Sequence, residues 1–156
     1  MSHAGSQVEH RKEKIFMSRI QFYPDKELLA ALDNDSKRLG VAVSMLVTDI
    51  LKRHYGLVPE SALSETELNS KVFEEIKTYV DALNSRDEFD LVSASKTFRQ
   101  IDMVYSGRPS TLRAKIGKNF AKAVDQNPDF SNIEVVRLHG DRIKRNYNNA
   151  AIYRIK

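Results

Sequence analysis

Two kinds of apolar periodicity follow one another along the chain and predict its first elements. Over residues 19–23 apolar and polar side chains alternate, which places Ile20 and Phe22 on one face of a short strand. Apolar residues then recur at helical spacing in two segments, the second spanning Val43 to His54, and Gly40 lies between them. The pattern predicts a strand, a helix, a turn and a second helix.

The predicted strand has no neighbouring strand to pair with, and its backbone N–H and C=O groups need partners. The same strand of a second chain would supply them and form a two-stranded antiparallel ribbon, which fits the major groove of DNA. We expect Ile20 and Phe22 to pack on the helices, and Arg19, Gln21 and Tyr23 to project outward. Arginine pairs with guanine and glutamine with adenine at the base edges, so these positions are candidates for base reading. Tyr23 is a candidate for a thymine methyl or a phosphate.

Residues 19–54 resemble, without gaps, the ribbon-helix-helix family of dimeric transcription repressors. The matching positions are Ile20, Phe22, Leu28, Leu29, Leu32, Gly40, Ser44, Leu46 and Val47. The resemblance implies that Arg19, Gln21 and Tyr23 are the outward strand residues that read bases. A unit this short buries little core alone, so we expect it to be stable only as a dimer.

The resemblance also implies a phosphate site at the start of the second helix. Backbone amides near Val43 and Ser44 would meet the phosphate, which the helix dipole favours. The family usually has a polar capping residue where this chain has Ala42, and often a basic residue at position 43. Ser44 is therefore the hydroxyl that remains for this contact.

Beyond residue 64 the periodicity predicts a mixed helix and strand unit. Ser64 and Glu67 have the spacing of a capping box, and Pro109 suits a first helical position. The predicted elements are helices at 65–83, 95–103 and 110–125 and strands at 89–92, 133–138 and 151–155.

This order of elements resembles a winged helix, with a basic, amide-rich loop between the last two strands. The resemblance implies that the third helix enters the major groove and that the loop contacts the DNA backbone or minor groove. The candidate residues of this second DNA surface are Arg113, Lys115, Lys118, Arg142, Lys144 and Arg145. The alternative interpretation is a small α+β domain with a solvated basic hairpin.

Charge is unevenly distributed along the chain. The net charge of +4 divides into +2 for residues 1–56, −5 for residues 57–106 and +7 for residues 107–156. A basic final third beside an acidic middle is typical of proteins that bind polyanions.

Composition excludes several classes of function. The chain of 156 residues has no cysteine, which excludes thiol catalysis and disulfides. The four histidines are scattered without ligand spacing, and no phosphate-binding glycine loop or serine nucleophile motif is present. We therefore expect no enzyme activity, no metal and no cofactor. No apolar run is long enough for a membrane span and no secretory signal is evident, which favours a cytoplasmic protein.

Together these patterns predict an α+β, mostly helical protein with four parts. Residues 1–16 are expected to be a mobile arm, 17–56 a dimeric ribbon-helix-helix domain, 57–64 a linker and 65–156 a basic winged-helix-like domain. The predicted function is a homodimeric, sequence-specific regulator of transcription, a repressor, that binds double-stranded DNA.

Two other functions remain open at this point. One is an antitoxin-like or plasmid-maintenance adaptor whose C-terminal unit binds a protein, for which the acidic helix at 65–83 leaves room. The other is an RNA-binding or structural protein that uses only the C-terminal unit.

Overall fold

The computed structural model describes residues 20–105 and 107–156. This part of the chain is α+β and mostly helical, as the sequence predicts. Within it, no helix is long and apolar enough to cross a membrane. Residues 1–19 lie outside the described ranges, and the prediction of a mobile arm lies there with them.

The first two helices have the predicted positions. Helix α1 spans Lys26–Leu39 and helix α2 spans Val43–His54. Asp25 caps α1, since its Oδ1 accepts a hydrogen bond from the Leu28 amide at 2.8 Å. Gly40 ends α1 in the left-handed conformation, with φ of 65°. The Gly40 signal is local, which is why the sequence places the end of α1 correctly.

The predicted strand is not formed within the single chain. Ile20 to Pro24 belong to neither a helix nor a strand, and Arg19 lies outside the described residues. Ile20 is 90% exposed and Phe22 is 56% exposed, so the expected packing of this pair on the helices does not occur within one chain. A strand requires a paired backbone, and no described segment of the same chain provides one here.

Helix α3, Glu65–Val80, joins the helix pair to the rest of the molecule. Ser64 and Glu67 form the predicted capping box, but the helix ends at Val80 rather than at residue 83. The side-chain amide of Asn69, which is completely buried, donates to the Leu39 carbonyl at 2.9 Å. The amide of Thr66 donates to buried Asp49 of α2 at 2.6 Å. These bonds fix α3 against the C-terminal end of α1 and the middle of α2.

The following segment differs from the prediction. Strand β1 is limited to Glu88–Phe89, and helix α4 occupies Leu91–Ala94, where the sequence predicted a strand through residue 92. Asp90 causes the change, because its Oδ1 accepts from the Ser93 amide at 2.8 Å and begins a helical turn. The helix predicted at 95–103 is a shorter helix α5, Lys96–Gln100.

A short hairpin that the sequence did not predict follows α5. Strands β2, Val104–Tyr105, and β3, Arg108–Pro109, pair antiparallel. Pro109 therefore lies in a strand rather than at the first position of a helix. Helix α6 spans Thr111–Gln126, and Ser110 caps it by accepting from the Arg113 amide at 3.3 Å.

The chain closes with a three-stranded antiparallel sheet. A single 3₁₀ turn, Pro128–Phe130, leads into strand β4, Ile133–Val135, and the chain ends in strand β5, Tyr153–Ile155. The strand order is β1-β5-β4, with Glu88 opposite Arg154 and Ile133 opposite Ile155. Both final strands are shorter than predicted, because residues 136–152 leave the sheet and fold back on themselves.

The main core lies between α3, α6 and the sheet. Its centre is an aromatic group in which Phe120 contacts Phe73, Phe130 and Tyr153 edge-on, with ring centroids 5.7, 5.2 and 4.9 Å away. Edge-on aromatic contacts add about 0.5–1.5 kcal/mol each to the free energy gained from burial. The core thus holds α6 and the strand that ends the chain in fixed positions.

Candidate nucleic-acid interface

Two of the three predicted base-reading residues are described, and both are exposed. Tyr23 is 85% exposed, and its hydroxyl donates to Oε1 of Gln21 at 3.1 Å. The two side chains are therefore on the same side of the segment, as period two requires. The third, Arg19, lies outside the described residues.

The helix pair has little core of its own. Within α1, α2 and their connection, the buried apolar residues are Leu32, Val41 and Leu46. Larger apolar side chains remain open to solvent at 43–52% exposure, and we call them the apolar face: Leu28, Leu29, Ile50 and Leu51. Ile20 and Phe22, in the segment that precedes α1, are exposed as well, and large exposed apolar surfaces are typical of interaction sites.

The start of α2 has no side-chain cap. Ala42 occupies the capping position and makes no side-chain hydrogen bond, and the first turn carries no acidic residue. Ser44 is exposed and Val43 is half-buried. The first amides of a helix lack partners within the helix, so this end is left able to bind an anion.

The cations of α6 have different surroundings. Lys115 forms an ion pair with Glu65 of α3 at 2.9 Å. The Arg113 guanidinium lies 4.7 Å from the centre of the Phe98 ring and donates to the Ile101 carbonyl at 2.9 Å. Burial lowers the pKa of Arg113, and the negative charge of Asp90 partly opposes that effect. Lys118 is exposed, and no carboxylate among the described residues lies within ion-pair distance of it.

The basic loop, residues 136–152, is more ordered than a simple hairpin. The Lys144 amide donates to the Val136 carbonyl at 2.8 Å, and the Lys144 carbonyl accepts from the Ile152 amide at 3.0 Å. The amide of Val136 donates in turn to the Ile152 carbonyl at 2.9 Å. The backbone at Val136, Lys144 and Ile152 is thus hydrogen-bonded together. One tight turn lies between Val136 and Lys144, and a second lies between Lys144 and Ile152. We call this segment the wing loop.

The second turn of the wing loop carries an exposed aromatic that the sequence prediction did not include among the site residues. Tyr147 is 96% exposed. Oδ1 of Asn146 accepts from the amides of Asn148 and Ala150, at 2.9 and 3.0 Å, and Asn149 has a positive φ of 62°. The signal in the sequence is the amide-rich run around the tyrosine, since asparagine favours such turns.

The basic residues of the wing loop also divide into two groups. Lys144 is paired with Glu88 of β1 at 2.6 Å. Arg145 donates to the carbonyl of Asn149 at 2.8 Å, and Arg142 is exposed. Within residues 20–105 and 107–156, neither Arg142 nor Arg145 has a carboxylate within ion-pair distance.

A groove lies between α6 and the wing loop, and Lys118 and Arg145 both line it. Its volume is about 770 Å³. On the helix side it is lined by small residues, Ala114, Gly117 and Ala121. Sequence reasoning did not find this groove, because its two sides are far apart in the chain.

A carboxylate, Glu75, fixes the start of α5 to α3. It accepts from the hydroxyls of Ser95 and Thr97, both at 2.6 Å, and from the Thr97 amide at 2.9 Å. Burial acts to raise the pKa of Glu75, but these hydrogen bonds outweigh it and the pKa is lowered. Glu75, Ser95 and Thr97 do not line the groove; they fix the position of α5, whose residues Phe98, Arg99 and Gln100 do.

No group of three or more histidine or carboxylate side chains in the described part of the chain is arranged to hold a metal ion. Comparison with models of protein families, with curated proteins and with solved structures found no match to this chain.

Proposed function

We propose that this protein is a homodimeric, sequence-specific DNA-binding regulator of transcription that acts as a repressor. The observation that carries the proposal is the apolar face, which is left open beside a three-residue core in the helix pair. The segment that precedes α1 adds exposed polar residues suited to base reading, Gln21 and Tyr23.

A second copy of the chain is the partner that fits this face best. Helix pairs that each expose leucine and isoleucine bury them against one another under two-fold symmetry, so each apolar face meets the same face of its partner. Burial of a leucine or isoleucine side chain contributes about 1.5–3 kcal/mol, so covering the four half-exposed residues is a substantial gain for a unit with so small a core.

In such a dimer the segment around Ile20 and Phe22 lies beside its symmetry mate and pairs with it. The ribbon would then bury these two apolar residues, which are exposed in one chain. Gln21 and Tyr23, together with Arg19, would face the major groove. The uncapped start of α2, at Val43 and Ser44, would receive a phosphate.

The C-terminal unit supports the proposal as a second DNA surface. The order β1-β5-β4, with a helix before β4 and a basic loop before β5, supports the winged-helix interpretation. The residues available for DNA are fewer than the six candidates, since Lys115 and Lys144 are paired with carboxylates and Arg113 is half-buried against the Phe98 ring. Lys118, Arg142 and Arg145 are the residues we propose for phosphate contacts, with Tyr147 at the tip of the wing loop.

The adaptor hypothesis has less support. Three of the four carboxylates of α3 are engaged within the chain, Glu65 with Lys115, Glu67 with Arg53, and Glu75 with Ser95 and Thr97, which leaves the exposed Glu74.

The test begins with selection of duplexes from a randomised pool by the full chain. We expect enrichment of a palindrome, because the symmetry of a dimer imposes symmetry on its site. Gln21→Ala should then cost about 1–3 kcal/mol at one base position and relax the preference there. A selection that enriches no sequence, or a Gln21→Ala variant with unchanged base preference, would refute base reading by the segment.

Dimerisation is tested separately by light scattering after size-exclusion chromatography. Ile50→Glu places a charge in the apolar face and should yield monomers. Asn34→Glu is the control, since Asn34 is exposed on α1 and lies outside that face. A wild-type chain that is monomeric at all concentrations tested would exclude the proposed ribbon.

A further inference from the structure

The groove between α6 and the wing loop has the dimensions of a small-molecule site. Sites of this kind have volumes of about 300–1,000 Å³, and the groove has about 770 Å³. Ala114, Gly117 and Ala121 leave space along one side of α6, and no atom lies within 4 Å of the position that a Cβ on Gly117 would take. The opening is therefore not filled by the chain itself.

The lining of the groove is largely apolar, and we call this apolar part its floor; cationic side chains form part of the rest. Leu91, Val92, Phe98 and Ile143 are among the residues at its surface. Four cations line it, and Asp102 is the one acidic residue among the described residues that do so. The cationic residues are Arg99, Arg113, Lys118 and Arg145.

The three arginines are bonded to backbone carbonyls rather than to carboxylates. Arg99 donates to Val92, Arg113 to Ile101 and Arg145 to Asn149, at 3.0, 2.9 and 2.8 Å. Each guanidinium has five N–H donors, so these bonds orient the side chains and leave donors for a ligand. Carbonyls do not neutralise a positive charge, so the groove retains an excess of it. An anion entering here would also offset the partial burial that disfavours the charge of Arg113.

We propose that this groove binds a small organic anion with an apolar body, whose carboxylate, sulfonate or phosphate group lies among Arg113, Lys118 and Arg145. The apolar body lies on the floor beside Phe98 and the small residues of α6. A nucleic-acid strand is the less favoured occupant, because its repeated phosphates would face a largely apolar floor. The site shares Lys118 and Arg145 with the proposed DNA surface, but it requires neither DNA nor a second chain, so dye binding without DNA tests it separately.

The probe for the test is 1-anilinonaphthalene-8-sulfonate, which combines a flat apolar body with one negative charge and fluoresces when it leaves water. The full chain is titrated with this dye without DNA, and thermal unfolding is recorded for every variant. The uncharged N-phenyl-1-naphthylamine serves as the comparison ligand. We expect saturable binding of the sulfonate and at least about fivefold weaker binding of the uncharged compound.

Two variants probe the groove, and each has a matched control on α6. Gly117→Leu fills the groove and should weaken dye binding by more than about tenfold, whereas Gln126→Leu adds the same side chain outside it. Lys118→Gln should weaken binding by about fivefold, whereas Lys122→Gln removes a charge one turn away, outside the lining. Both positions tolerate change, since Gly117 has open space and Lys118 is exposed.

Several results would overturn the proposal. Dye binding that Gly117→Leu leaves unchanged would place the dye elsewhere, for example on the apolar face. Equal affinity for the charged and uncharged compounds would show that the negative charge does not contribute to binding. Displacement of the dye by a short single-stranded oligonucleotide at low salt would assign the groove to nucleic acid instead.

Discussion

Gly40, at the corner between α1 and α2, lies close to the Phe73 ring of α3. This close packing predicts that a larger residue at position 40 destabilises the protein. Gly40 has φ of +65°, and a Cβ built on it would lie 2.5 Å from Cε2 of Phe73. Gly56 has the same φ of +65° but open space around the corresponding position. The two glycines therefore share backbone strain and differ in their surroundings.

The magnitude follows from these two terms. An alanine in the left-handed region costs about 1–2 kcal/mol, so Gly56→Ala should lower the free energy of unfolding by about that amount. Gly40→Ala adds the overpacking of a buried aromatic, which costs about 1–3 kcal/mol. The Phe73 ring is buried and packs edge-on against Phe120 and Phe130, so a displacement of the ring disturbs these two contacts. The total for Gly40→Ala is about 2–5 kcal/mol.

The assay is urea unfolding followed by circular dichroism, at one protein concentration for all variants so that association does not alter the comparison. A double-mutant cycle with Phe73→Leu separates the contact from the strain, since a smaller side chain at position 73 should reduce the cost of Gly40→Ala towards that of Gly56→Ala. Equal destabilisation by the two glycine variants would refute the packing of the α1–α2 corner on α3.

Two further predictions concern single charges. Glu75→Gln should lower the free energy of unfolding by about 1–3 kcal/mol at pH 7, because Glu75 accepts three hydrogen bonds as an anion. Its pKa is lowered in the folded state, so its contribution is present above its ordinary value of 4.5 and is lost as the pH falls through the lowered pKa. Unfolding curves of both proteins between pH 7 and pH 3 should therefore converge in acid, and a constant difference would contradict the assignment. Lys118→Gln should reduce DNA affinity and lower the slope of its salt dependence by about 1, whereas Lys115→Gln should leave the slope unchanged because Lys115 is paired with Glu65. Gel-shift titrations over a range of salt concentrations give both slopes, and equal slopes for the two variants would contradict the division of the α6 cations.

The sequence predicts the elements whose signals are local. The end of α1 and the capping box of α3 follow from Gly40, Ser64 and Glu67, each of which acts within a few residues. The strand predicted over residues 89–92 is present only at Phe89, and its continuation was wrong, since a capping bond at Asp90 begins a helix instead. The hairpin of β2 and β3 was missed because its two-residue strands are too short for a period to show.

The candidate site was predictable only in part, for a different physical reason. Residue types identify Arg113, Lys115 and Lys118 as cations of one helix, but their partners come from distant parts of the chain. Glu65 lies 50 residues from Lys115, and the Phe98 ring belongs to another helix. Whether a cationic side chain is free to bind a ligand thus depends on the tertiary structure. The groove depends on it as well, because its two sides meet only in the folded chain.

Asn69 has a consequence for how this protein can be recombined. It donates to the Leu39 carbonyl and accepts from the Asn119 side chain at 3.0 Å, so one buried amide joins α1 to α6 through α3. Residues 20–56 are therefore not an exchangeable module, although they are contiguous and have recognisable ends. A chimera that grafts them onto another C-terminal unit would need α3, with Asn69 and Phe73, to be carried along. A boundary after Val80 would in turn separate Asn69 from Asn119 and Phe73 from Phe120 and Phe130, so neither position divides the chain without breaking buried contacts.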